Sequence, residues 1–117
     1  FPINAGTLLK IIDGTIDNDI TLGKEDIIPY SSEKSFDIYI ITAAVLPEWQ
    51  NKEVIMLLQD EFKKFIREKD SLNYLIKNIF ASVVSSDGDR LLRRMSFLPH
   101  EKNSACYSTT IERFLAL

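Results

Sequence analysis

The only histidine, His100, and the only cysteine, Cys106, are the side chains best suited to proton transfer or nucleophilic attack near neutral pH. Neither has the company that such chemistry needs. His100 stands in the loop sequence LPHEK without Cys, His or carboxylate partners at metal-ligand spacing, so no metal site is expected. Cys106 lies in ACYSTTI, a stretch that suits a strand, and no nearby histidine lowers its pKa; a buried, inert thiol is the expectation. Arg90, Arg93 and Arg94 form a basic run that either reaches a phosphate or solvates one side of a helix. Trp49 follows the strongest apolar strand and is either a staple on the next helix or a cover over a ligand.

These residues belong to a chain of 117 residues, 45% apolar, long enough for one globular domain and too short for two. The formal net charge of −3 argues against nucleic acid and anionic lipid as partners, because the molecule's own field would repel a polyphosphate surface. The longest apolar run, 38–46, is interrupted by Thr42 and falls far short of the roughly 20 residues that span a bilayer. A single cysteine excludes an internal disulfide, and FPINAG lacks the layout of a secretory signal, so a cytoplasmic protein is expected. Because the first residue is Phe, the chain reads as a piece of a larger parent protein or as a processed product.

The elements that must position the candidate residues follow from periodicity. AGTLLKII, residues 5–12, is composed like a strand, and Asp13-Gly14 tolerates the positive φ of a hairpin turn, so an N-terminal antiparallel hairpin with a return strand over 15–22 is expected. Residues 23–35 read as a loop with Asp26-Ile27-Ile28 as a short sheet extension. Residues 37–46 form the strongest strand, apolar on both faces and ended by Pro47. Val54, Ile55, Leu58, Phe62, Phe65 and Ile66 recur at three- and four-residue steps, which predicts a long amphipathic helix over 51–69. A second two-faced strand over 76–84 completes a βαβ unit with a parallel pair. Ser86 and Asp89 have the spacing of a capping box at the start of a short helix that turns Leu91, Leu92 and Met95 inward. A last strand over 105–111 and a helical or frayed tail close the chain.

This order of elements, with VLPEWQ (45–50) at the strand exit and SSDGDRLLRRMSF (85–97) behind the second strand, resembles the C-terminal two-thirds of the GNAT acyltransferase superfamily. VLPEWQ is similar to that family's exit of Val, any residue, Pro, Glu, aromatic and Arg or Gln. The second stretch is similar to a signature that runs from Asn or Ser through a small residue, here Gly88, to Gly-Phe, here Ser96-Phe97. The resemblance covers about residues 5–112.

The resemblance implies a mixed-sheet α/β (α+β) domain that moves an acetyl group from acetyl-CoA to a small amine or a protein amine. It implies that backbone groups of Ala44 and Val45 pair with the pantetheine arm. The pyrophosphate would rest on the helix start formed by Gln50, Asn51, Lys52, Glu53, Val54 and Ile55, where free N–H groups and the helix dipole favour an anion. Ser85 opens the second signature. Three departures bear on the activity. Side chains replace the small residues of the phosphate loop, Glu53 puts a carboxylate where a diphosphate would dock, and Leu92 stands where a tyrosine often protonates the departing thiolate. No residue is assigned as catalytic base. A catalytically inactive GNAT-like domain that senses acyl-CoA or binds a partner, as a homo-oligomer or within a larger protein, is therefore the alternative of a different class.

Overall fold

The computed structural model describes residues 1–15, 22–40, 52–83 and 86–117. They form a mixed α/β fold around a five-stranded sheet. The elements in chain order are β1 (Pro2–Ile3), α1 (Ala5–Ile12), a single 3-10 turn (Lys24–Asp26), β2 (Phe36–Ile40), α2 (Lys52–Ser71), β3 (Ile76–Ser82), α3 (Ser86–Arg94), β4 (Leu98–Pro99), β5 (Cys106–Thr110) and α4 (Ile111–Leu115). The sheet order is β1-β2-β3-β5-β4. β2 and β3 run parallel, as expected of a βαβ unit, and every other pairing is antiparallel. Between Phe36↔Ile76 and Ile38↔Ile79 one extra residue of β3 is accommodated, so the register shifts inside the parallel pair.

Both central strands are apolar on both faces because both faces are covered. Phe36, Ile38, Ile79, Ala81 and Tyr107 join residues of α2, α3 and α4 in one core. Tyr39, Phe80 and Cys106 point the other way, to Ile3 and the α1 residues Leu8 and Ile11. The expected N-terminal hairpin is corrected here: residues 5–12 are helical. The side chain of Asn4 accepts from the N–H groups of Gly6 at 2.8 Å and Thr7 at 3.4 Å, which caps two donors that a helix start leaves open. At the other end Gly14 has φ of 83° and its N–H donates to Ile11 O at 3.2 Å, so Asp13-Gly14 ends a helix instead of turning a hairpin. The antiparallel partner of β2 is the two-residue β1. The expected return strand lies almost wholly outside the described residues. Ile27 bridges Ile3, which places the short sheet extension where the sequence suggested it.

Asp26 ties this layer together. Its carboxylate accepts from the Thr7 hydroxyl at 2.6 Å and from the Gly23 N–H at 2.7 Å, while its carbonyl accepts from Asn4 N–H at 2.8 Å. The Gly23 N–H, and then the Thr7 hydroxyl, hold the carboxyl pKa below the ordinary carboxylate value.

The long helix spans Lys52–Ser71 and the short one Ser86–Arg94, close to the predicted limits. Ser86 is the first residue of α3 and so lies inside the helix, not at the capping position the sequence suggested. The end of α3 explains the Ser96-Phe97 pair. Ser96 takes φ of 65°, and the N–H of Phe97 reaches back to Leu92 O at 2.9 Å, so Phe97 drops fully buried into the core. A serine in this left-handed region carries a cost that glycine does not. Ser96→Gly is therefore expected to raise stability by about 0.5–1 kcal/mol, measured as a higher urea midpoint at unchanged slope.

Candidate functional site at the carboxyl ends of the parallel strands

In an open sheet with parallel strands, the loops that leave the carboxyl ends are where ligands are most readily bound. The opposite end is closed by packing. Tyr30 stacks on Tyr74 with ring centroids 5.3 Å apart and meets Phe36 edge-on at 5.7 Å, while the Lys69 ammonium lies 4.8 Å from the Tyr30 centroid. Backbone bonds fix the same corner: Phe36 N–H donates to Leu75 O at 2.9 Å, and Leu75 N–H to Ser31 O at 3.0 Å. The last turn of α2 is thus anchored beside the amino ends of β2 and β3.

Helix length then sets the position of its start. Twenty helical residues reach about 30 Å, whereas the seven residues of β3 reach about 23 Å. The first turn of α2 therefore lies at, or just beyond, the carboxyl ends of both parallel strands. α3 starts four residues after Ser82, at the same end. Two helix N-termini share this edge of the sheet.

Of the residues that the sequence assigned to cofactor binding, Glu53 and Val54 are in the first turn of α2, with Glu53 exposed and Val54 half-buried. Lys52 and Ile55 belong to the same turn by backbone. Ala44, Val45, Gln50, Asn51 and Ser85 lie outside the described residues, as does Trp49. The exposed Glu53 carboxylate is thus at the very helix start where a diphosphate would need positive potential.

Leu92, at the position of the family's tyrosine, is only 6% exposed and belongs to the main core cluster. Its side chain is turned toward the sheet. What α3 offers instead is a polar cluster that sequence reasoning missed. The Tyr107 hydroxyl, arriving from β5, donates to the Asp89 carboxylate; the Arg93 Nε donates to the same carboxylate oxygen at 2.9 Å, and the Arg93 guanidinium donates to the Tyr107 oxygen at 3.3 Å. Asp89 is held below the ordinary carboxylate value, first by the Tyr107 hydroxyl and then by Arg93. Tyr107 is pushed up, chiefly because its proton is shared with Asp89. The Asp89–Arg93 pair was legible as a four-residue helical step, but Tyr107 comes from a different element and leaves no local trace.

This cluster locks the phenol in its protonated form, and it consumes Arg93. Arg90 is likewise paired, with Asp87, while Arg94 is exposed. The arginine run therefore divides its charge between local acids and solvent. Across the parallel pair, the Tyr39 hydroxyl and Ser82 Oγ are 2.5 Å apart, a contact that joins β2 to the end of β3 on the α1 face. His100 is a loop residue whose Nδ1 accepts from Lys102 N–H at 3.2 Å. Cys106 is fully buried, and burial pushes its thiol up to about 11. Among the described residues no three of His, Cys, Asp and Glu gather as metal ligands, and no helix is long and apolar enough to cross a membrane.

Asp26 and Asp89 give a pH dependence with a definite sign. Both have a folded-state pKa below the unfolded value, so both favour the folded state above that value and lose the contribution as acid protonates them. The melting temperature is expected to be level from neutral pH down to about 5 and to fall below about pH 4. Asp89→Asn should flatten part of that fall in thermal melts taken across the range; an unchanged acid limb would remove Asp89 as a contributor.

No family model matches the chain, and a search of curated proteins returns no match either.

Proposed function

We propose that this chain is an acyl-CoA-dependent N-acyltransferase domain of GNAT type that takes an acetyl group from acetyl-CoA to an amine. The observation that carries the reading is the parallel β2–β3 pair joined through α2 and followed directly by α3, the strand–helix–strand–helix order that the resemblance implies. In this reading the pyrophosphate is received at the start of α2, where the helix dipole favours an anion, and strand N–H groups polarise the thioester. The acceptor is a small amine or a protein amine, neither nucleic acid nor membrane is a partner, and the absence of any cysteine pair fits a cytoplasmic setting.

A second reading, binding without transfer, is favoured by two described residues. Leu92 is packed into the core and has no proton to give, and Glu53 stands exposed in the anion-binding turn. On that reading the domain senses acyl-CoA or serves as an interaction module of a larger assembly.

Calorimetric titration with acetyl-CoA, paired with thermal melts, tests both. Micromolar binding with a ligand-dependent rise in melting temperature is the expected result. Thiol release on adding a panel of amines then separates transfer from binding alone. No heat and no thermal shift at millimolar acetyl-CoA would overturn the transfer reading and the acyl-CoA-sensing one, and leave the interaction module.

A further inference from the structure

At the end of α2 a cation is held on aromatic faces. The Lys69 ammonium lies 4.8 Å from the ring centroid of Tyr30 and 5.2 Å from that of Phe65, so two π faces share one charge. Among the described residues this ammonium donates to no acceptor and has no carboxylate within ion-pair distance. The rings and the negative end of the α2 dipole hold it. The rings themselves are fixed by other contacts: Tyr30 stacks on Tyr74 and meets the buried Phe36 edge-on, and Phe65 stacks on Phe62 with centroids 6.1 Å apart. Tyr30, Lys69 and Tyr74 are half-buried and Phe65 is 36% exposed, so the notch opens to solvent.

A primary ammonium suits such a place poorly. It carries three N–H donors and a tight hydration shell, and ring faces replace neither the acceptors nor the water that it gives up. A quaternary ammonium keeps the charge, has no N–H group to leave unmet, and lays its methyl groups directly on the rings. Lys69 holds the notch because it is tethered there at high effective concentration. Its four-carbon stem is flexible, and turning its head out to water breaks no ion pair and no hydrogen bond among the described residues.

We infer that the notch between Tyr30 and Phe65 is a binding site for a small quaternary ammonium group, with Lys69 as the internal occupant that the ligand displaces. The inference stands apart from the acyl-CoA reading, because the notch lies beside the amino ends of β2 and β3 and the candidate cofactor site lies at their carboxyl ends. Two ring faces support millimolar affinity, and the tethered lysine weakens it by the fraction of time that it fills the notch.

NMR titration of the full chain with choline, up to high millimolar, tests the site against an uncharged alcohol that carries a tert-butyl head of the same shape. Choline should shift the ring resonances of Tyr30 and Phe65, and the neutral isostere should shift them far less. Lys69→Ala, a substitution that a helix accepts readily, empties the notch and should bind choline about tenfold more tightly than the parent chain. Adding Phe65→Leu to Lys69→Ala should remove most of that gain while keeping apolar bulk on α2. Tyr30→Leu is the second such variant, with circular dichroism as the check that each remains folded. A parent chain whose Tyr30 and Phe65 resonances do not move, a Lys69→Ala variant that binds no more tightly, or an isostere that binds as well as choline overturns the inference.

Discussion

Phe114→Ala is expected to cost about 3–5 kcal/mol of folding stability, the largest effect of any single truncation proposed for this chain. The ring is 0% exposed and holds the five-residue α4 against the sheet. It meets Phe62 at the middle of α2 edge-on at 5.0 Å and Phe97 just beyond α3 at 6.4 Å, so one side chain ties α4 to both of the longer helical segments. A helix this short does not persist on its own propensity, and the Thr110 hydroxyl that accepts from Arg113 N–H at 3.2 Å caps it without anchoring it. Removing the ring deletes buried apolar surface and leaves a cavity that the surrounding aromatics fill only in part. Against a typical total of about 5–15 kcal/mol, the loss is a large share of the whole. Urea unfolding reads it as a lower midpoint. Leu9→Ala, at a side chain 64% exposed, provides the contrast and should stay within about 0.5 kcal/mol of the parent. A Phe114→Ala loss below about 1 kcal/mol would mean that α4 is not part of the cooperative core.

The central βαβ unit was legible because its signals are long and redundant. Two strands apolar on both faces can only be interior, and nineteen residues of helical periodicity between them leave little choice of connection. The N-terminus was misread because Asp-Gly is ambiguous. It supplies positive φ equally to a hairpin turn and to a helix end, and the eight residues before it contain enough Leu and Ile for either state. What decides is Asn4, which caps two N–H groups, together with Thr7, Leu8 and Ile11, which fall on one helical side and are buried there. β4 left no sequence signal because it is two residues long and includes Pro99, which can pair only at a sheet edge.

The candidate site was legible only in its backbone. The position of a helix start follows from element order, but the Tyr107–Asp89–Arg93 cluster joins residues from separate elements, and no local pattern announces a contact eighteen residues apart. The motif residues between Ala44 and Asn51 were the sharpest sequence evidence for a cofactor groove, and they lie outside the described residues. The described part of the site therefore bears on the chemistry chiefly through Glu53 and Leu92.

Leu92 gives the second large effect and the more informative one. Leu92→Tyr, which puts in place the phenol that the resemblance calls for, is expected to destabilise the chain by about 1–3 kcal/mol and to add no acyl transfer. The position is 6% exposed inside a cluster of Ile79, Leu91, Phe97 and Phe114, so a larger ring must displace packed neighbours and bring a hydroxyl into an apolar space. Leu92→Ala, which removes volume at the same place, should cost about 2–5 kcal/mol, and the two losses together would mark the site as packed rather than open. The geometry behind this is the Schellman end of α3: the Leu92 carbonyl receives the Phe97 N–H at 2.9 Å, which ties that turn to a fully buried ring and fixes which way its side chains face. Urea midpoints measure the stability, and thiol release from acetyl-CoA with an amine panel measures the chemistry. A tyrosine accepted without loss of stability that also raises thiol release would show that the 92 position faces a cofactor. A destabilised variant with unaltered thiol release would instead show that α3 turns this position into the core, and any acid for the departing thiolate must come from another element.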